Sequence, residues 1–324
     1  MNTLQVRKSV FQRSGMVIAL AAVLILVLTA CGSSGESFSS GAKDDSKLKV
    51  TTTIGMITDV AKEVGGEHVQ VTGLMGEGVD PHLFKATQGD VRKLDEADII
   101  FYNGLHLEAK LGDILEQMNE DKPTIAVAEA IEASKLLAGD EEAGEQYDPH
   151  VWFDVSHWMT VTETIRDELM KIDPDHSEDY EKNAEAYLTE LQELHTYAKV
   201  QIASIPEESR VLVTAHDAFH YFGKAYDIEV RGLQGISTAS EAGVKDVTDL
   251  VDFLVERKIG AVFVESSVSS KSIDAVIEGA EAKGHQIQEG GELFSDAMGP
   301  EGTEEGTYIG MVRHNVDTIV GALK

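Results

Sequence analysis

Short apolar runs alternate with segments of helical apolar spacing through the first half of the chain. Four runs have the length of buried strands, and the segments between them repeat apolar residues every three or four positions. We predict strands over Lys49–Ile54, His68–Leu74, Asp98–Tyr102 and Thr124–Val127, and helices over Ile57–Val64, Gln88–Leu94 and Leu107–Met118. This alternation favours parallel βαβ units.

The second half of the chain repeats the scheme. One apolar helix face runs from Val244 to Leu254, and a last helix is expected over Thr307–Leu323. The predicted strands of this half are Arg210–Thr214, Glu229–Gly232 and Ala261–Glu265.

A longer helical segment separates the two halves. Apolar side chains recur at helical spacing from Tyr180 to Leu194, with Ser177 as the predicted N-cap and Pro206 beyond the end. The whole pattern predicts an α/β fold of two Rossmann-like lobes with mostly parallel sheets, joined by one long rigid helix. Ligands of open α/β sheets bind beyond the carboxyl ends of the strands, so two facing lobes predict one cleft.

The first 30 residues have the pattern of a targeting segment. Arg7, Lys8 and Arg13 precede an apolar stretch, Met16 to Leu28, that is short for a membrane span. It ends in Leu-Thr-Ala-Cys, and Cys31 is followed by glycine, which resembles the lipobox of bacterial lipoproteins. The resemblance implies cleavage before Cys31 and a diacylglycerol on its thiol. The alternative is a single transmembrane anchor.

Composition and spacing together predict the domain organisation. The stretch after Cys31 is rich in Gly and Ser, which is typical of a flexible tether. We therefore predict a lipoprotein signal peptide at 1–30, a tether at 31–47, an N-terminal lobe at 48–175, a connecting helix at 176–205 and a C-terminal lobe at 206–324.

Composition also limits the chemistry of any binding site. Cys31 is the only cysteine, which excludes an intrachain disulfide and every site with several thiolates. Any bound metal must therefore be held by nitrogen and oxygen. The formal net charge of −30 argues against a nucleic-acid partner, because phosphate binding needs positive charge.

Three of the eleven histidines stand in unusual surroundings. His82 and His150 each end an Asp-Pro-His tripeptide, in which proline stiffens the loop and the aspartate can orient the imidazole. His216 follows a predicted strand. Asp296 lies in a mostly apolar stretch, where a buried charge needs a partner or a metal. Three imidazoles and one carboxylate suit Zn²⁺ or Mn²⁺.

Six ordered segments resemble one family of proteins. They are VDPHLFKAT, YDPHVWFDV, VTAHDAFHYFGKAY, GLQGISTASEAG, VFVESSVS and LFSDAMG, and the likeness runs from about Lys49 to Lys324. The chain resembles the cluster A-I metal-binding lipoproteins of ABC importers, above all the bacillus-type manganese-binding lipoproteins. The resemblance implies a receptor rather than an enzyme. Such a receptor is lipid-anchored outside the cytoplasm and delivers a metal ion to an ABC transporter permease, and we expect a monomer.

The resemblance also implies a ligand set, with two residues from each lobe. The implied metal ligands are His82, His150, His216 and Asp296. Asp80 and Asp148 are expected to support the two tripeptide histidines. Glu265, at the end of a predicted strand, is expected either to support the site or to be a surface carboxylate.

Two sequence features point to different ions. His216 stands where some manganese receptors of the family have Glu, which favours zinc. Zinc-specific members often have a His-rich loop where Gly139–Tyr147 lies, and this acidic stretch has no histidine, which favours manganese. Affinity alone favours zinc. From the overall likeness we expect Mn²⁺ as the cargo, with Zn²⁺ close behind.

The remaining histidines have simpler interpretations. His176 ends an imperfect copy of the tripeptide where the connecting helix begins, so we interpret it as a capping-region residue. His106 and His220 are expected to line the cleft. Surface or packing roles are expected for His68, His157, His195, His285, His314, Trp152 and Trp158.

Two other functions stay open at this point. A metal-dependent hydrolase needs an open coordination position and a general base, and the chain has no HExxH motif. A role as a surface adhesin, assigned to some members of the family, has no sequence signature.

Overall fold

The computed structural model describes residues 47–140, 144 and 146–324. The predicted signal peptide, the predicted lipidation residue Cys31 and the predicted tether up to residue 46 lie outside this part. So do residues 141–143 and 145 of the acidic loop. Within the described part, no helix is both long and apolar enough to cross a membrane.

A four-stranded parallel sheet forms the centre of the N-terminal lobe. Its spatial order is β2-β1-β3-β4, and Val50 of the first strand pairs with Val71 on one side and Ile99 on the other. Each predicted strand is present within two residues of its predicted ends. The strands are β1 (Leu48–Thr52), β2 (Val69–Gly73), β3 (Ile99–Tyr102) and β4 (Thr124–Ala126).

Three helices connect these strands: α1 (Gly55–Gly65), α2 (Gln88–Asp95) and α3 (Gly112–Asp121). The predicted start of the third helix at Leu107 is wrong. Leu105 and His106 have φ angles of 53° and 68°, which no α-helix allows. The buried Glu108 carboxylate accepts hydrogen bonds from the N–H groups of Asn103 and Gly104 and holds this turn.

The start of α2 gives a testable contribution to stability. Thr87 Oγ1 accepts the Asp90 N–H, and the Asp90 carboxylate accepts the Thr87 N–H, which is a capping box. We expect Thr87→Ala to lower the free energy of unfolding by about 1 kcal/mol, measured by urea denaturation. Thr189 is exposed inside a later helix, so Thr189→Ala is the matched control and should leave the free energy of unfolding unchanged. Equal losses in both variants would contradict the capping role.

Two helices follow the N-terminal sheet: α4 (Val155–Ile172) and α5 (Ser177–Ile202). The 26 residues of α5 span about 39 Å, and this helix packs against both α1 and α4. It lies inside the predicted connecting segment, whereas the lobe boundaries themselves stay predictions. His176, not Ser177, is its N-cap, because the backbone of Ser177 is already helical. The Ser177 hydroxyl donates to the Pro174 carbonyl.

The C-terminal lobe contains two parallel two-stranded sheets, β5–β6 and β7–β8. Its strands are β5 (Val211–His216), β6 (Glu229–Gln234), β7 (Ala261–Glu265) and β8 (Gln288–Leu293). Its helices are α6 (His220–Tyr226), α7 (Val244–Arg257), α8 (Lys271–Ala282) and α9 (Tyr308–Leu323). These elements confirm the predicted α/β fold with parallel sheets and one long helix.

The strand β8 is absent from the sequence prediction because its residues, QEGGEL, carry almost no apolar pattern. Packing explains its composition. A Cβ at Gly290 would lie 2.6 Å from the Phe263 ring, so only glycine allows the strand to approach β7 closely.

One apolar core joins the two lobes. It includes β1 and β3, the inner faces of α4 and α5, and residues Tyr308 to Ile319 of the last helix. A second, smaller core lies between β5, β7, α7 and α8. Because α9 packs on α5 and α1, the end of the chain stabilises the contact between the lobes.

Candidate metal centre

Four side chains from four separate loops or strand ends meet between the lobes. His82 lies in the loop after β2, and His150 lies just before α4. His216 is the last residue of β5, and Asp296 follows β8. The four sequence-predicted ligands therefore come together at the carboxyl ends of parallel strands or in the loops beyond them.

The ligand atoms of these residues form a tight cluster, with all four atoms within 4.8 Å of one another. The Nε2 atoms of His82 and His150 are 3.3 Å apart. Asp296 carboxylate oxygens lie 3.3 Å from His150 Nε2, 3.4 Å from His216 Nε2 and 3.7 Å from His82 Nε2. Ligand atoms of a tetrahedral site with bonds of about 2.0–2.1 Å are about 3.3 Å apart, so the cluster has the dimensions of one metal site.

The cluster is buried and short of partners. His150 and His216 are fully buried, and Asp296 is 1% exposed. Among the described residues, neither oxygen of Asp296 nor Nε2 of His216 has a hydrogen-bond partner. Burial of polar atoms without partners is costly, and a bound cation would satisfy all of them at once.

Asp148 orients the ring of His150. One oxygen of Asp148 accepts hydrogen bonds from both His150 N, at 3.0 Å, and His150 Nδ1, at 2.8 Å. This leaves Nε2 directed at the cluster. Burial alone would lower the pKa of His150, but the negative charge of Asp148 and its hydrogen bond raise this pKa to about 9.

Glu265 orients the ring of His216, as Asp148 orients that of His150. Its carboxylate accepts hydrogen bonds from the backbone N of His216, at 2.8 Å, and from the ring Nδ1, at 2.5 Å. Burial opposes protonation, yet the charges of Glu265 and Asp296 hold the pKa of His216 well above its ordinary value. Burial works to raise the pKa of Asp296, but the charges of His216 and His150 hold it well below the usual range.

The first tripeptide makes different contacts from the second. Asp80 accepts a hydrogen bond from the backbone N of His82 and does not contact its ring. The other Asp80 oxygen accepts the Thr238 hydroxyl of the C-terminal lobe at 2.6 Å. Burial lowers the pKa of His82 to about 3, an effect that Asp296 only partly offsets, so this imidazole is neutral.

Two further side chains support the site: Asn103, which no sequence motif marks, and Trp152, which lies in the segment YDPHVWFDV but was expected only to pack. Asn103 Nδ2 donates to the Pro149 carbonyl, next to His150. Trp152 Nε1 donates to the Ser295 carbonyl, next to Asp296, at 3.0 Å and thereby connects the two lobes. The Trp152 ring also contacts the His150 ring edge-on, with centroids 5.2 Å apart.

The other histidines lie outside the cluster. His176 pairs with Asp173 and stacks on His68, at the start of α5. His106 is exposed and, with Glu129 and Gln146, lines a separate surface cavity. His220 contacts Asp148, which supports His150.

A family model described as the zinc-uptake complex component A, periplasmic (ZnuA), matches residues 50–322, nearly the whole described chain. The chain belongs to the ZnuA family. This membership confirms the resemblance found in the six sequence segments. The ZnuA family consists of uptake components, so the prediction that the chain is not an enzyme is confirmed, and nothing supports the hydrolase alternative.

Several ZnuA-type relatives are similar over nearly their full length. The manganese-binding lipoprotein MntA of Bacillus subtilis is 53% identical over 307 residues, which cover 94% of this chain and 98% of that protein. The zinc-binding protein TroA of Treponema pallidum is 48% identical over 292 residues, 89% of this chain and 94% of that protein. Its solved structure aligns with a TM-score of 0.83 and 49% identity, over 86% of this chain and 99% of TroA.

Proposed function

We propose that this protein is the extracytoplasmic solute-binding lipoprotein of a metal ABC importer. In this proposal His82, His150, His216 and Asp296 bind one divalent transition-metal ion between the lobes, and the loaded protein, a monomer, delivers the ion to the permease. The convergence of four buried ligand residues carries the proposal, together with the lack of a hydrogen-bond partner for His216 Nε2 and for both oxygens of Asp296 among the described residues.

We propose Mn²⁺ as the preferred cargo, with Zn²⁺ close behind. The likeness to the manganese-binding MntA of Bacillus subtilis supports manganese. Three imidazole nitrogens and a carboxylate also suit zinc, which such ligands bind more tightly in general. The metal content of the protein purified from its own host under manganese-replete growth decides between them. Predominant zinc would overturn the manganese preference.

The proposed anchor is a diacylglycerol on Cys31, after cleavage of residues 1–30. The lipobox-like sequence and the lipoprotein names of similar proteins support it. Mass spectrometry of the mature protein should find a lipid-modified N-terminal cysteine, and Cys31→Ala should release the protein from the membrane fraction. An unmodified Cys31 in a membrane-bound chain would contradict the anchor.

Calorimetric titration of metal-stripped protein tests the metal-binding function. We expect one Mn²⁺ or Zn²⁺ per chain and no comparable binding of Ca²⁺ or Mg²⁺, because imidazole-rich sites disfavour these hard ions. Absence of binding for both transition metals would overturn the proposal.

Metal affinity should rise with pH. In the metal-free protein the raised pKa values of His150 and His216 mean that both rings are in the imidazolium form near pH 7, with a proton on each nitrogen. The metal needs deprotonated Nε2 atoms, so binding must release protons, and each one released gives about a tenfold gain in affinity per pH unit. Titrations from about pH 6 to about pH 8, in buffers of different ionisation enthalpy, count these protons. An apparent enthalpy that does not depend on the buffer would contradict the prediction.

A further inference from the structure

One histidine outside the ligand cluster contacts carboxylates from both lobes. His220, the first residue of α6, places its Nδ1 3.3 Å from Asp148 and its Nε2 3.2 Å from Asp217. Asp148 is fully buried, and its other oxygen orients the ring of His150. Asp217 directly follows His216. His220 therefore lies between two aspartates, one from each lobe, and each aspartate is within two residues of a proposed ligand.

The segment around His220 also holds the backbone of the second tripeptide. The Tyr221 hydroxyl donates to the Asp148 carbonyl at 3.0 Å and accepts the Leu137 N–H at 3.0 Å. The ring of Phe219 packs against Phe153, with centroids 4.1 Å apart. The start of α6 is therefore in firm contact with the loop that carries His150, which keeps the His220 ring in place.

Asp217 is equally well fixed on the other side. Its carboxylate accepts the Gly232 N–H of the neighbouring strand at 2.8 Å. A Cβ at Gly232 would lie 2.5 Å from the Asp217 backbone, so the close approach of the two segments depends on glycine. Asp217 therefore keeps a constant position relative to His216.

The charges around His220 match a bridging role. A ring with protons on both nitrogens donates to both carboxylates at once, which a neutral ring does not. Hydrogen bonds to Asp148 and Asp217 raise the pKa of His220 to about 10, although partial burial opposes this. Without His220, one oxygen of the buried Asp148 would lose a charged donor.

We propose that His220 is a positioning residue of the metal centre, which bridges Asp148 and Asp217 and so fixes His150 relative to His216. The proposal rests on the proposed metal-binding function. His220 does not bind the ion and acts through the two aspartates. Loss of partners behind metal ligands lowers affinity about 10- to 100-fold, and most such differences are in the dissociation rate. The bridge therefore slows the release of metal.

The test measures release of Mn²⁺ and Zn²⁺ from the purified protein after rapid mixing with a chelator. We expect His220→Ala to release metal at least about tenfold faster than the unsubstituted protein. His220→Asn reaches only Asp148 and should also release metal faster. His285 lies outside the ligand cluster and its ring hydrogen-bonds to the Ile259 carbonyl, so His285→Ala is the matched control and should release metal at the unsubstituted rate.

The visible spectrum of bound Co²⁺ separates positioning from a purely structural role. His220→Ala should shift the cobalt bands, because the His150 ring changes its orientation, whereas a change in fold stability alone leaves them in place. Unchanged release and spectrum in His220→Ala would overturn the proposal, as would a normal release rate in His220→Asn. If His220→Ala does not fold, the Asn variant decides alone. Failure of the unsubstituted protein to bind either metal would instead overturn the proposed function.

Discussion

Replacement of Asp296 by Asn is expected to weaken metal binding by more than about 100-fold. This loss exceeds the one expected when a ligand only loses its supporting hydrogen-bond partner. Asp296 is the single carboxylate among the four proposed ligands, and its oxygens lie within 3.7 Å of all three imidazoles. The amide removes the negative charge that balances the buried ion. Titration of the metal-stripped variant measures the loss.

The same substitution should abolish the stabilisation that metal gives the fold. A ligand at 100 times its dissociation constant raises the free energy of unfolding by about 2.7 kcal/mol, and this gain disappears when the site no longer binds. Thermal unfolding with and without metal measures it. Asp317→Asn, at an exposed carboxylate that accepts the Tyr197 hydroxyl, is the control and should keep the full shift. Tight binding by the Asp296 variant would remove this residue from the ligand set.

Two tryptophans should have the largest effects on stability, but only one should affect metal binding. Trp152 and Trp158 are both fully buried, and truncation of either to Ala should cost about 3–5 kcal/mol. Trp158 stacks on Tyr308 in the core, with centroids 5.2 Å apart. Trp152 instead contacts His150 and donates to the Ser295 carbonyl.

The paired variants separate core packing from support of the site. Trp152→Ala should also weaken metal binding, because the backbone next to Asp296 loses its donor and His150 loses a ring contact. Trp158→Ala should leave the affinity unchanged at temperatures where the variant is folded. Urea denaturation followed by far-ultraviolet circular dichroism gives the stabilities, and calorimetry gives the affinities. Equal affinity losses in both variants would mean that Trp152 acts only through the fold.

The position of the site explains why binding can be coupled to the contact between the lobes. Two proposed ligands come from each lobe, and three cross-lobe contacts surround them: Asp80 to Thr238, Trp152 to Ser295 and His220 to Asp148. An ion held by both lobes adds its binding free energy to the arrangement in which the two lobes are in contact. A permease that recognises this arrangement would therefore distinguish loaded from empty protein.

Local patterns in the sequence predicted most of the fold. Strand-like segments located β1 to β7, most clearly β3, β5 and β7, because buried parallel strands need nearly continuous apolar residues. β8 was missed because its place depends on glycines that fit beneath Phe263, which is a tertiary contact. The predicted helix start at Leu107 was wrong because Glu108, a side chain of ordinary helix propensity, is buried as an acceptor for the preceding turn.

The sequence by itself determined which side chains had ligand chemistry. A single cysteine excluded sites with several thiolates. Four candidates followed from the repeated Asp-Pro-His tripeptide, from the position of His216 at a strand end and from an aspartate in an apolar stretch. Only the tertiary structure decided how those residues are supported. The two identical tripeptides differ in their contacts, because Asp80 meets Thr238 whereas Asp148 meets His150 and His220. Of these partners, Thr238 and His220 come from distant segments of the other lobe. Residue spacing along the chain predicts the local geometry of each loop, but packing between the lobes determines which side chains contact that loop.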